Sequence, residues 1–142
     1  MVLEHMRRLC GRRFSLLGRA VLPDFEIGLG LRGYANIRAK KGAKVFGLLY
    51  DIDEECLDAL DSYEGYPDTF GREMVSVIDE DKKRYKAWVY IESADEFGGV
   101  RINEEYFKRV IAAARENHLP EDWIRKLESI SLKPAREGQA GV

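Results

Sequence analysis

Glu64 is the residue of this 142-residue chain best placed for acid–base work. It closes the run Leu57-Asp58-Ala59-Leu60-Asp61-Ser62-Tyr63-Glu64 and is followed by Gly65-Tyr66-Pro67. Residues four apart on a helix share a face. Glu64 therefore follows Leu60, near the line of Leu57, and a carboxylate is aimed where the apolar residues aim. Gly65 and Pro67 stop the helix at that point. Desolvation at the inner end of a helix disfavours the charged form, which suits a carboxylate to proton transfer near neutral pH. The same spacing also fits an ordinary glutamate in a frayed last turn that points to water.

Other reactive side chains form weaker patterns. Cys10 and Cys56 belong to no Cys-x-x-Cys and no Cys/His cluster, so no zinc site is expected. They read as reduced packing residues of a cytoplasmic protein. His5 and His118 are far apart in sequence and read as surface or capping residues. Gly28, Gly30 and Gly33 do not open a helix after a strand, which argues against a phosphate loop. Glycines inside a strand suggest a bulge or a close approach to backbone or ligand. Arg7, Arg8, Arg12 and Arg13 make a local basic cluster, but the formal net charge is -2. A solvated helix face is the expected reading, with no nucleic-acid partner. No apolar run approaches the length of a membrane span, and the N-terminus lacks the apolar core and cleavage site of a secretory signal.

The elements that must position these residues follow from periodicity. Leu3, Met6 and Cys10 are spaced as a short opening helix ended by Gly11. Residues 13–22 read as a strand, Pro23-Asp24 as a turn, and 25–31 as a second, alternating strand. A short strand over 34–38, a Lys40-Lys41-Gly42 turn and a buried strand over 45–50 follow. Asp51 or Asp53 caps the helix that ends at Glu64. Residues 71–78 and 84–91 alternate as a hairpin around Glu80-Asp81-Lys82-Lys83. After a glycine-containing loop at 93–101, Asn103 caps a helix to Asn117, with Tyr106, Phe107, Val110, Ile111 and Ala114 on its apolar face. Pro120 opens the last helix. Residues 133–142 read as a flexible tail behind a single domain over 1–132. The expected class is α+β, with a mostly antiparallel sheet, curled or barrel-like, and helices outside it.

Several of these segments together resemble the γ-glutamylcyclotransferase family. They are the Val45-Phe46-Gly47-Leu48-Leu49-Tyr50 strand, the helix end Leu60-Asp61-Ser62-Tyr63-Glu64-Gly65, and the strand opening at Phe70-Gly71-Arg72. Ala87-Trp88-Val89-Tyr90 fits too, as does Tyr106-Phe107-Lys108 through Ala114-Arg115-Glu116-Asn117-His118-Leu119-Pro120. The resemblance implies a small barrel-like sheet of five to six strands with flanking helices, and cyclisation of a γ-glutamyl peptide or amine to 5-oxoproline, with release of the amino acid or amine. It implies Glu64 as the general acid/base, no metal or organic cofactor, and often a homodimer.

Gly33, Tyr34 and Asn36 fall where the family brings a strand end to its substrate, and Tyr63, Tyr66 and Phe70 are candidates to line the pocket or to be plain core. Arg32 and Arg72 are candidates for a substrate carboxylate or simple surface charges. The family's opening strand, with its aromatic-Gly-Ser-Asn loop, has no counterpart in these residues: Met1 to Arg8 resembles the helix after it. Two further readings follow. One is a non-catalytic binding or oligomer-forming module of the same fold. The other is a relative that removes a γ-glutamyl group from a small amine.

Overall fold

The computed structural model describes residues 3–92, 97 and 101–132. The element order is α1 (Leu3–Cys10), β1 (Phe14–Leu29), β2 (Ala35–Ile52), α2 (Glu54–Glu64), β3 (Phe70–Asp79), β4 (Arg84–Glu92), α3 (Glu104–Glu116) and α4 (Glu121–Leu132). The class is α+β, as the order of elements implies. The tail expected over 133–142 and most of the loop expected over 93–101 lie outside the described residues.

The sheet has four strands in the order β2-β1-β3-β4, all antiparallel, and is not closed. This corrects the expectation of five to six strands in a barrel-like sheet. Segments 13–22 and 25–31 are one strand, and so are 34–38 and 45–50. The ladder runs from Phe14↔Ile52 to Leu29↔Ala35, with an irregularity between Pro23 and Phe25. At that irregularity Asp24 takes φ 62 and Gly42 takes φ 88. The Gly42 N–H donates to Asp24 Oδ1 at 2.9 Å, tying the two apparent turns together across the ladder. Turn-forming residues here make a bulge, which bends paired strands without ending them.

The edge strands β2 and β4 share no ladder among the described residues. They are bridged at one end by a side chain. Asn36 Oδ1 of β2 accepts the Glu92 N–H of β4 at 3.0 Å.

One face of the sheet packs Ala20, Leu22, Ile37, Leu49 and Val77 together. Trp123, Ile124 and Leu127 of α4 and Ala114 of α3 form a second cluster that reaches the sheet through Val45 and Phe46. A third cluster joins α1 to α2 through Met6, Cys10, Cys56 and Leu60. There Cys10 and Cys56 form a disulfide across a sequence separation of 46. The expectation of two reduced thiols is therefore corrected. Each cysteine packs well, being 5% and 0% exposed, but the opposed faces of α1 and α2 also bring the two sulfurs together. The cytoplasmic expectation loses the argument it drew from free thiols.

Candidate active site around Glu64

The helix that carries Glu64 is fixed at both ends by local chemistry. Asp53 caps α2, its Oδ1 accepting the Cys56 N–H at 2.8 Å. Cys56 and Leu60 are buried, and Glu64 continues that line four residues on as a half-buried side chain. Gly65 then turns left-handed, at φ 69 and ψ 36. Its N–H reaches Ser62 O at 3.3 Å, and the Tyr66 N–H reaches Asp61 O at 2.9 Å. A side chain at Gly65 would meet the Thr69 side chain at 2.9 Å, so glycine is needed for packing as well as for φ.

One turn before Glu64, Asp61 anchors the helix end to the sheet. It accepts two bonds from Arg72, at 2.9 and 3.2 Å, and one from the Tyr90 hydroxyl at 2.6 Å. The Arg72 guanidinium lies between the rings of Tyr66 and Trp88, 4.5 and 4.3 Å from their centroids. Fork geometry and ring stacking suit arginine to this position. Asp61→Ala removes three charge-assisted bonds and leaves Arg72 partly buried without its partner. The variant is expected to lose about 2–3 kcal/mol in urea unfolding.

Burial raises the Glu64 pKa from its usual 4.5, because a carboxylate withdrawn from water resists ionisation. Burial lifts the pKa of two tyrosine hydroxyls, Tyr106 of α3 and Tyr90 of β4, the latter helped by its bond to Asp61, and the Glu64 charge adds a smaller push to both. Tyr106 is pushed up to about 12, mainly by burial, against a backbone hydrogen bond from Ala35. Tyr34 and Tyr63 act on it in the same direction as Glu64. The Tyr34 and Tyr106 rings meet edge to face at 5.0 Å, and Asn103 Nδ2 donates to the Tyr34 hydroxyl at 3.4 Å. A carboxylate of raised pKa and a hydroxyl that stays protonated at neutral pH thus lie within reach of each other's charge. Such a pair can accept a proton at one atom and donate at another.

The sequence-predicted residues divide into two groups. Tyr34 packs on Tyr106, and Tyr63, like Glu64, acts electrostatically on that hydroxyl. Tyr66 packs on Arg72 and is 39% exposed. Phe70 opens β3 opposite Glu92. Gly33 turns at φ 88, where its carbonyl accepts the Asn103 N–H at 3.0 Å. A Cβ there would lie 2.7 Å from Arg101 O, so this glycine lets the turn press on the start of α3. Asn36 is 3% exposed and bridges to β4, and its Nδ2 has no hydrogen-bond partner among the described residues. Arg72 is committed to Asp61, so its side chain is neither a free carboxylate clamp nor a loose surface charge. Arg32 pairs with buried Glu92 at 3.4 Å. A side chain at Gly30 would collide with the Glu92 carboxylate, and one at Gly28 with the Phe97 ring. The strand glycines thus serve close approach, one of the two roles their positions suggested.

Sequence reasoning missed Tyr106 as a site residue. Its spacing places it in the apolar stripe of α3, and only its hydroxyl distinguishes it from a packing aromatic. Glu92 was also missed, because its burial comes from long-range contacts. Among the described residues no three His, Cys, Asp or Glu side chains gather as a metal site.

Comparison with known proteins places this geometry. A curated relative from Methanocaldococcus jannaschii, named "Putative gamma-glutamylcyclotransferase", is 35% identical over 54 residues. That match covers 38% of this chain and 45% of the relative, less than half the length of either. A solved structure named Gamma-glutamyl cyclotransferase superposes with a TM-score of 0.80 at 21% identity, over 91% of this chain and 81% of the other. A human protein described as uncharacterized superposes with a TM-score of 0.79 at 22% identity, over the same shares. At such identities the superpositions speak to fold. The sequence model of one family matches residues 2–109, a span that holds α2 and Glu64. On that match, the chain belongs to the family described as Gamma-glutamyl cyclotransferase, AIG2-like.

Proposed function

We propose that this protein cyclises a γ-glutamyl peptide or amine to 5-oxoproline, releasing the free amino acid or amine, with Glu64 as general acid/base. The observation that carries the reading is the Glu64 carboxylate. It is half-buried and raised in pKa on a doubly capped helix, in a chain of this family.

The substrate's α-amine sits one short tether from its own γ-carbonyl. Glu64 takes a proton from the α-ammonium, and the freed nitrogen attacks the γ-carbon. The resulting tetrahedral centre breaks its bond to the departing nitrogen, which receives the proton from Glu64. The ring nitrogen still carries one proton too many and passes it, again by way of Glu64, to the released amine, so the products are 5-oxoproline with its lactam N–H and the ammonium form of the amine, and atoms and charge balance without a cofactor. Because the attack is intramolecular, the pocket mainly has to hold the substrate folded. Raising the Glu64 pKa toward the working pH makes one carboxyl serviceable in both directions.

In this reading the protonated Tyr106 hydroxyl donates to the developing oxyanion, while the Ala35 N–H holds its oxygen in place. Tyr34 lines the pocket beside it, and Gly33 fixes that strand end on α3. Asn36 offers to the substrate an amide N–H that has no partner among the described residues. Tyr66 and Phe70 flank the helix end. Tyr106→Phe is expected to lower kcat by about 10²-fold with little change in KM, read from initial rates.

The direct test is incubation with γ-glutamyl-alanine and measurement of 5-oxoproline and alanine in equal amounts. Absence of both, across peptide and amine substrates, would leave a family member without this activity. A homodimer belongs to the same reading, and light scattering on an eluting peak measures it.

A further inference from the structure

The cavity at Tyr63 contains charge that the proposed reaction does not use. It is about 250 Å³ and is lined by Glu4, His5, Arg8, Tyr63 and Arg109. Three helices meet there: α1 supplies the first three residues, α2 supplies Tyr63, and α3 supplies Arg109. Tyr63 directly precedes Glu64. Arg109 follows Tyr106 by three residues, so it lies one turn along the same face of α3. The cavity therefore borders the stretches of α2 and α3 that carry Glu64 and Tyr106.

Among the described residues neither Arg8 nor Arg109 makes an ion pair, although Glu4 sits only one turn before Arg8. The His5 ring packs edge to face on Tyr63 at 5.5 Å. Its pKa is lowered from 6.5, first by burial, then by Arg8 and Arg109, each of which outweighs the opposing effect of Glu4. A positive field thus prevails at a concave, amino-acid-sized space one residue from the proposed acid/base. Guanidinium pairs suit planar carboxylates, which they can hold with charge-assisted bonds.

We propose that Arg8 and Arg109, with His5 and Tyr63 as the cavity wall, form a binding seat for a carboxylate of the γ-glutamyl substrate. The inference rests on the cyclisation reading for the substrate's identity, but not for the seat's preference for carboxylate. The carboxylate has two possible sources, the glutamyl α-carboxylate and the carboxylate of the amino acid to be released. A peptide substrate presents both, and a γ-glutamyl alkylamide presents only the first.

The test joins turnover with a local reporter. The chain has two histidines, so His5 and His118 are resolved by NMR, with His118 as the internal control. In Glu64→Gln, saturating γ-glutamyl-alanine is expected to raise the His5 pKa and leave His118 unmoved. Arg8→Gln and Arg109→Gln should each abolish that shift. In the parent background each should raise KM for γ-glutamyl-alanine about tenfold with kcat nearly unchanged. Unchanged circular dichroism melts would show that these exposed-residue variants still fold. If γ-glutamyl-ethylamide moves His5 equally, the seat holds the glutamyl α-carboxylate; if only γ-glutamyl-alanine does, it holds that of the released amino acid.

Turnover by the parent chain with unchanged KM in both variants and a stationary His5 would overturn the seat while the reaction stood. An arginine-dependent His5 shift without any 5-oxoproline would uphold the seat and overturn the reaction. A stationary His5 with no product would overturn both.

Discussion

Glu64→Gln is expected to lower kcat for 5-oxoproline formation by about 10³-fold, the range for losing a positioned general acid/base. Glutamine keeps the size and the hydrogen-bonding edge of the side chain but cannot carry the proton from one nitrogen to the other. KM should change little, because the carboxylate acts on the reacting atoms and the cavity beyond Tyr63 is untouched. In the parent chain, kcat/KM should fall on acidification, with an apparent pKa above the usual 4.5, since burial raises the Glu64 pKa. That limb should vanish in the variant.

Stability should move the opposite way from activity. A carboxyl whose folded pKa is raised contributes its full share to stability below the unfolded value. It loses that share as pH rises through the folded value. At pH 7 the parent bears the cost of ionising Glu64 in a partly dry site, and glutamine does not. Glu64→Gln should therefore be the more stable protein at pH 7, with the difference closing below about pH 4. Chemical denaturation at the two pH values reads this directly. A variant that loses turnover while gaining stability would separate a catalytic role from a structural one. A variant that keeps parental turnover would end the mechanism.

What the sequence displayed of this site was local. Asp53, Cys56, Leu60, Glu64 and Gly65 lie on one helix, and their caps and four-residue spacing are read within a dozen residues. The β3–β4 hairpin was legible for the same reason. The strand count failed where local chemistry is ambiguous. Pro23-Asp24 and Lys40-Lys41-Gly42 carry the residues of turns, yet they face each other across one continuous ladder. The register shift between Pro23 and Phe25 and the bond from Gly42 to Asp24, 18 residues apart, mark them as a bulge. Arg72 shows the same limit in reverse. As a lone charge it suited a substrate, and its partner Asp61 appears only when β3 returns beside the end of α2. Tyr106 was visible as an apolar-face aromatic, but its relation to Glu64 depends on how α3 docks. Arg109 and the α1 residues His5 and Arg8 come together by that docking as well.

Breaking the Cys10–Cys56 bond is expected to have the largest effect on stability. The bond closes a loop with a sequence separation of 46. In the chain-entropy account, a cross-link over that separation restricts the unfolded ensemble by about 4 kcal/mol. Reduction should therefore lower the melting temperature by about 10 °C. Reduction is a cleaner probe than replacement, because the thiols keep their volume in a cluster where Cys56 is fully buried and Met6 and Leu60 surround the pair. Cys10→Ala/Cys56→Ala adds a packing loss to the lost cross-link, so it should melt below the reduced parent and be indifferent to reductant. Alkylation of the unfolded, unreduced protein should label neither cysteine; labelling of both would show that the bond does not form in solution.

The consequence reaches the active site, because the bonded helices carry different parts of it. Helix α1 bears His5 and Arg8, and α2 bears Tyr63 and Glu64. Their T-shaped contact at His5 and Tyr63 lies on the same interface that the disulfide pins. If the bond matters to function, its loss should appear first in KM for γ-glutamyl-alanine, as the α1 side of the cavity loosens. It should appear less in kcat, because Glu64 is held independently through Gly65 and the Asp61–Arg72–Tyr90 bonds.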